Sequence, residues 1–133
     1  MNPTVKELWI AALEADDAPE QGQRYLGTPD GKRCCLGVLC DIAVKEGVIP
    51  EPITVDGSGE YALRYGVRTP NDNDTSIHAL PFAVRDWAGL NEINPQVLRD
   101  DVNVDGYQIE SLAEYNDGGY NFKQIANVIR EEL

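Results

Sequence analysis

The chain has 133 residues, 42% of them hydrophobic, which is enough for one folded core and too many for a disordered chain. Its 23 acidic residues against 11 basic ones give a formal net charge of −12, a surface that repels bare nucleic acid and anionic membrane and permits a basic protein partner. No apolar run approaches the ~18 residues needed to span a bilayer. The first residues show neither the basic nor the apolar region of a signal peptide. Three cysteines, two of them adjacent, make a poor disulfide framework, so a reducing cytoplasm is the expected setting.

Thr4-Val5-Lys6-Glu7 has the form of a capping box, and Val5, Leu8, Trp9, Ala12 and Leu13 repeat behind it at helical spacing, predicting an amphipathic helix that ends near Ala15. Thr28-Pro29-Asp30-Gly31 is turn chemistry between two short segments, read as a hairpin from Arg24 to Cys35. The most apolar stretch follows. Leu36, Leu39, Cys40 and Ala43 form one helical stripe and Cys35, Val38 and Ile42 its neighbour, so a buried central helix is expected from Cys34 to Glu46, with Gly47 just past its end. Gly37 inside it costs roughly 1 kcal/mol relative to Ala and implies the close approach of another backbone.

Ile53–Val55 and Glu60–Tyr65 read as a hairpin about Asp56-Gly57-Ser58-Gly59, with Tyr61, Leu63 and Tyr65 on one face. Arg68 to Thr75, with Asn71-Asp72-Asn73-Asp74 inside it, reads as a mobile polar loop. Leu80 to Leu90 is a short helix with Pro81 in its first turn, Gly89 as its cap, and Phe82 or Ala83 with Val84 and Trp87 as its packing face. Past Asn94-Pro95, valines and Tyr107 suggest a weaker hairpin with Asp105-Gly106 at its tip. Ser111 opens a helix running to about Tyr115, and Asn121 caps a last helix whose stripe is Phe122, Ile125, Ala126, Ile129 and Leu133. The sum is an α+β single domain over residues 1–133: a buried central helix packed with N- and C-terminal amphipathic helices and one or two β-hairpins.

Two of these stretches, Cys34-Cys35-Leu36-Gly37-Val38-Leu39-Cys40-Asp41 and Leu112 to Ala126 (LAEYNDGGYNFKQIA), resemble the paired signatures of a group of small proteins of tailed phages, prophages and some bacteria. Asn94-Pro95 and the Leu80-Pro81…Trp87-Ala88-Gly89-Leu90 segment match its layout, so the resemblance covers most of the chain from about Tyr25 onward. It implies a phage-encoded accessory protein in a bacterial cytoplasm and no particular reaction. Tyr115 stands where the group commonly has Leu, and the second glycine of the Gly118-Gly119 pair and the acidic insert at 99–106 are particular to this chain.

Four constellations bear on chemistry. Cys35 at a helix N-terminus beside Arg33, with the single histidine His78 as base, has the make-up of a nucleophile pair, whereas cysteine is also among the most buried residue types; a core role is preferred. Cys34, Cys35, Cys40 and His78 have a zinc composition without zinc spacing, since adjacent cysteines diverge by about 100° on a helix. Asp101, Asn103 and Asp105 with Gly106 match the opening of a calcium loop, but its twelfth position falls on Leu112 and Glu110 comes two residues early. No metal or cofactor is therefore expected. Asn116, Asp117, Gly118, Gly119 and Asn121 could present backbone N–H groups to an anion such as a nucleotide phosphate; a plain helix-to-helix connection is preferred because the surrounding charge is negative.

Walker, Rossmann and Gly-x-Ser-x-Gly signatures are absent. The expected function is a non-enzymatic phage or prophage accessory protein that binds a host or defence protein, for host takeover or counter-defence, without contacting nucleic acid or membrane. Tyr61, Tyr65, Tyr107 and Tyr120 are the candidate contacts. The alternative is a small-molecule or nucleotide-binding domain using the Asn116–Asn121 loop, and a Cys35–His78 hydrolase ranks third.

Overall fold

A computed structural model describes residues 1–97, 99, 103–104 and 107–133, with 103, 104 and 107 described through their backbone. Among these residues the chain forms helices α1 (Pro3–Glu14), α2 (Cys35–Lys45), α3 (Phe82–Ala88), α4 (Leu112–Asp117) and α5 (Phe122–Glu132). The strands are β1 (Ile53–Asp56), β2 (Tyr61–Thr69), β3 (Asp72–Ser76), β4 (Asn103–Val104) and β5 (Tyr107–Gln108). β1, β2 and β3 make an antiparallel sheet in that order, and β4 pairs with β5. The fold is α+β, as the periodicities predict.

Helix α2 occupies the centre. Residues 35–40 and Ala43 are buried, and α1 and α4 pack on it while α5 packs on α1 and α4. Its stop is well defined: Gly47, at φ 77°, donates to Val44 O while Val48 donates to Ala43 O, the paired bonds of a Schellman motif. Helix α1 begins two residues earlier than the Thr4–Glu7 box implies. Asn2 is its cap, its side chain accepting from Thr4 N at 2.9 Å and Val5 N at 3.1 Å, because Pro3 is preorganised for the first helical position and has no N–H to satisfy. Val5, Trp9 and Leu13 face the core, whereas Leu8 is exposed.

Three further expectations are corrected. The 24–35 hairpin is shorter than two strands: one antiparallel bridge joins Gly27 to Arg33, with Thr28 N donating to Lys32 O and Cys34 N to Leu26 O across it, and the sheet adds a second hold, Leu26 N donating to Ile77 O and Leu63 N to Gly27 O. The 68–75 stretch is a strand pair, with β2 running to Thr69 and turning at Pro70-Asn71 into β3. It carries no apolar alternation because much of it is exposed, so the ladder rather than burial holds it. Gly66, at φ 124°, brings β2 so near Asp74 O that an added Cβ would stand 2.0 Å away. In α3 the expected face is the one with Ala83: Val84 is buried and Ala83 and Trp87 pack against the core, Ala88 is buried as well, and Phe82 is exposed. Pro81 precedes this helix and supplies no side-chain cap. Asp74, eight residues upstream on β3, does so instead, accepting from Phe82 N at 2.6 Å and Ala83 N at 2.9 Å.

Helix α4 runs to Asp117, two residues past Tyr115. Helix α5 has the expected capping box between Asn121 and Gln124, and Phe122, Ile125, Ala126 and Ile129 are buried with Val128 added.

Candidate functional site

The Cys34–Asp41 motif is organised from the inside. Cys34 caps α2, its Sγ accepting from Gly37 N at 3.4 Å. Cys35 N donates to Asn116 Oδ1 at 3.1 Å, Cys35 O accepts from Trp9 Nε1 at 2.9 Å, and the Cys35 thiol points at Leu112 O at 3.6 Å. Gly37 meets Leu26: a Cβ here would stand 1.7 Å from Leu26 O, so a crossing backbone is what excludes any side chain. All three thiols are free and buried. Burial pushes Cys34 up to about 11, and burial with the neighbouring Cys34 raises Cys35 and Cys40 well above the ordinary thiol value.

His78 works elsewhere. Its Nδ1 lies 2.9 Å from Arg24 O and its ring stacks on Tyr25 with centroids 5.2 Å apart; no hydrogen bond joins it to Cys35. Among the described residues no three His, Cys, Asp or Glu side chains converge as a metal site. Asp101 and Asp105 lie outside the described residues, and Asn103 is seen only as backbone in β4. Asp41 closes the motif by accepting from Arg33 Nε at 2.8 Å and from the Tyr65 hydroxyl at 2.6 Å. Burial and that bond raise the Tyr65 hydroxyl well above its ordinary value, so it stays a donor.

The Asn116–Asn121 loop turns much of its polarity inward. Asn116 is 1% exposed; its Oδ1 accepts from Gln21 Nε2 at 2.9 Å as well as from Cys35 N, and its Nδ2 donates to Gly22 O at 2.7 Å. Asp117 Oδ1 accepts from Arg24 N at 3.0 Å, helping to hold Arg24 at φ 73°, a region rare for a residue with a side chain. Gly118 follows α4 as its cap, Gly119 takes φ 101°, and Asn121 caps α5. A shallow depression of about 220 Å³ remains beside the loop, with Gln23, Tyr120 and Asn121 in its wall.

A larger cleft of about 580 Å³ opens along the 21–32 segment, sharing Gln21 and Gln23 with that depression, and the sequence gives no signal for it because its walls are far apart in the chain. Gln23, Tyr25, Asp30, Lys32, Glu60 and Tyr61 are among its lining. Tyr61, at the start of β2 and on the face of buried Leu63 and Tyr65, lies beyond the core edge and is 70% exposed. Tyr25 is fixed by its hydroxyl, which donates to Gly57 O at 2.6 Å. The Thr28 hydroxyl holds the Asp30 carboxyl below the usual range, so it is ionised at neutral pH. Of the tyrosines singled out from the sequence, Tyr61 is thus outward, Tyr65 is inward, Tyr120 packs edge-on against Tyr115, and the Tyr107 side chain lies outside the described residues.

Over residues 1–133 the chain matches a family described as a domain of unknown function, DUF8296, and it belongs to that family. No curated protein and no solved structure matches it. Among the described residues no helix is long and apolar enough to cross a membrane.

Proposed function

We propose that this protein acts by binding another protein, using the cleft beside Tyr61, and that it does so as a phage or prophage accessory protein in a bacterial cytoplasm, toward host takeover or counter-defence. The observation that carries the reading is Tyr61: a 70% exposed aromatic lining a cleft of about 580 Å³. Tyrosine supplies contact area at low entropic cost and is enriched at interfaces. Asp30 and Glu60 outnumber Lys32 beside it, and with the chain's net charge of −12 they favour a partner presenting lysine or arginine. The phage setting rests on the two sequence signatures. Affinity purification from a bacterial lysate tests the proposal: a host protein should be retained at low salt, released as ionic strength rises, and lost with Tyr61→Ala. Equal recovery on the variant would contradict it.

A second reading, a nucleotide-sized ligand at the depression beside Asn116–Asn121, is favoured by the side-chain amides and tyrosine in its wall. A thermal shift with a nucleotide panel tests it, since a ligand at 100 times its Kd adds ~2.7 kcal/mol. No shift with any nucleotide removes it.

A further inference from the structure

The flank of α1 beside α5 has a more even charge balance than this acidic molecule as a whole. Lys6, Glu7, Ile10, Ala11 and Glu14 of α1 and Arg130 of α5 are among the residues lining a groove of about 490 Å³. Its two bases balance its two acids, in a chain whose net charge is −12. Lys123 adds a further base on the exposed stripe of α5 that carries Arg130, seven residues away. Two copies of a strongly acidic protein repel one another over most orientations. This face is where that repulsion is relieved.

The charge pattern is also its own complement. Lys6, Ile10 and Glu14 stand at i, i+4 and i+8, one half-buried row along the helix, Ile10 packing on the chain's own core with one side and opening to the groove with the other. A two-fold axis through Ile10 lays Lys6 of each copy on Glu14 of the other, with Ile10 against Ile10 and the small Ala11 allowing the helices to approach. Among the described residues Lys6 makes no ion pair within its own chain. Glu14 already receives Arg130 at 2.7 Å through Oε1, which positions its carboxylate for a second cation. We infer that α1 is the contact of a symmetric homodimer in which two α1 helices lie antiparallel, joined by reciprocal Lys6–Glu14 pairs across an Ile10 centre.

Sedimentation velocity over a concentration series tests this directly. The wild-type chain should show a reversible monomer–dimer equilibrium. Lys6→Glu and Glu14→Lys should each weaken it by about tenfold or more, because each places like charges together. The triple swap K6E/E14K/R130E should restore it, because it inverts the row and its Arg130 partner together and keeps every cation on a carboxylate. Ala11→Glu, at an exposed position away from the core, should abolish the dimer while leaving the circular dichroism spectrum unchanged. A wild-type chain that stays monomeric at the highest concentration overturns the inference. So does a dimer indifferent to Ala11→Glu, or a triple swap no better than the folded single variants Lys6→Glu and Glu14→Lys.

Discussion

The start of α2 and the surroundings of Tyr61 use polar groups in opposite ways. At α2, Asn116, Cys35, Trp9 and Gly22 spend their donors and acceptors on one another across segments far apart in sequence. At Tyr61, the ring stands in solvent beside Asp30, Lys32 and Glu60, and the Glu60 carboxylate meets Arg24 at 4.0 Å with both side chains well exposed. Such an exposed pair contributes little to stability. The comparison separates two kinds of residue: at α2 a substitution should change folding, and at Tyr61 it should change only what the surface can hold.

The sharpest way to break that division is Gly37→Ala, which sets a methyl 1.7 Å from Leu26 O and forces backbone to move. A loss of at least ~3 kcal/mol is expected, read as a lower midpoint in urea. Asn116→Ala comes next, at about 3 kcal/mol, because it strands the buried Cys35 N–H and deprives Gly22 O of its donor. Asp74→Ala should cost about 1 kcal/mol by uncapping α3. Tyr61→Ala should leave stability within ~0.5 kcal/mol of wild type while abolishing partner capture. A large destabilisation there would erase the contrast.

Alkaline pH provides a milder probe of the same contrast. Cys34 titrates at about 11 in the folded chain against 9.0 for an ordinary thiol, so above pH 9 the unfolded chain loses its proton first. Stability from this group should be intact below pH 9 and fall as pH rises from 9 to about 11, and Cys34→Ala should make that part of the curve less steep, Cys35 and Cys40 supplying the remainder.

Much of the fold was legible because it is written in local periodicity. The α2 stripe, the Asn121 box and the Gly47 stop each depend on residues within a few positions of one another, and Gly37 signalled a backbone crossing without naming Leu26. What escaped depends on distant partners. Asp74 looks like loop chemistry until β3 pairs with β2 and carries it to the start of α3, and the Thr4–Glu7 box was outcompeted by an Asn-Pro pair whose proline suits the first helical position better. The inward use of Asn116 could not be read from Asn116–Asn121 alone, since its partners Gln21, Gly22 and Cys35 lie more than 80 residues away. Tyr61 carried a partial signal. Its alternation with Leu63 and Tyr65 was visible, but where the core ends along that face was not.

Alkylation of the native chain by iodoacetamide at neutral pH, followed by mass spectrometry, tests most directly whether the cysteine motif is scaffold. Cys34, Cys35 and Cys40 should remain unmodified in the folded protein over hours and all react within minutes once it is unfolded in denaturant. Rapid stoichiometric modification of Cys35 in the folded protein would contradict the account and move the search for function from the surface at Tyr61 to the thiol.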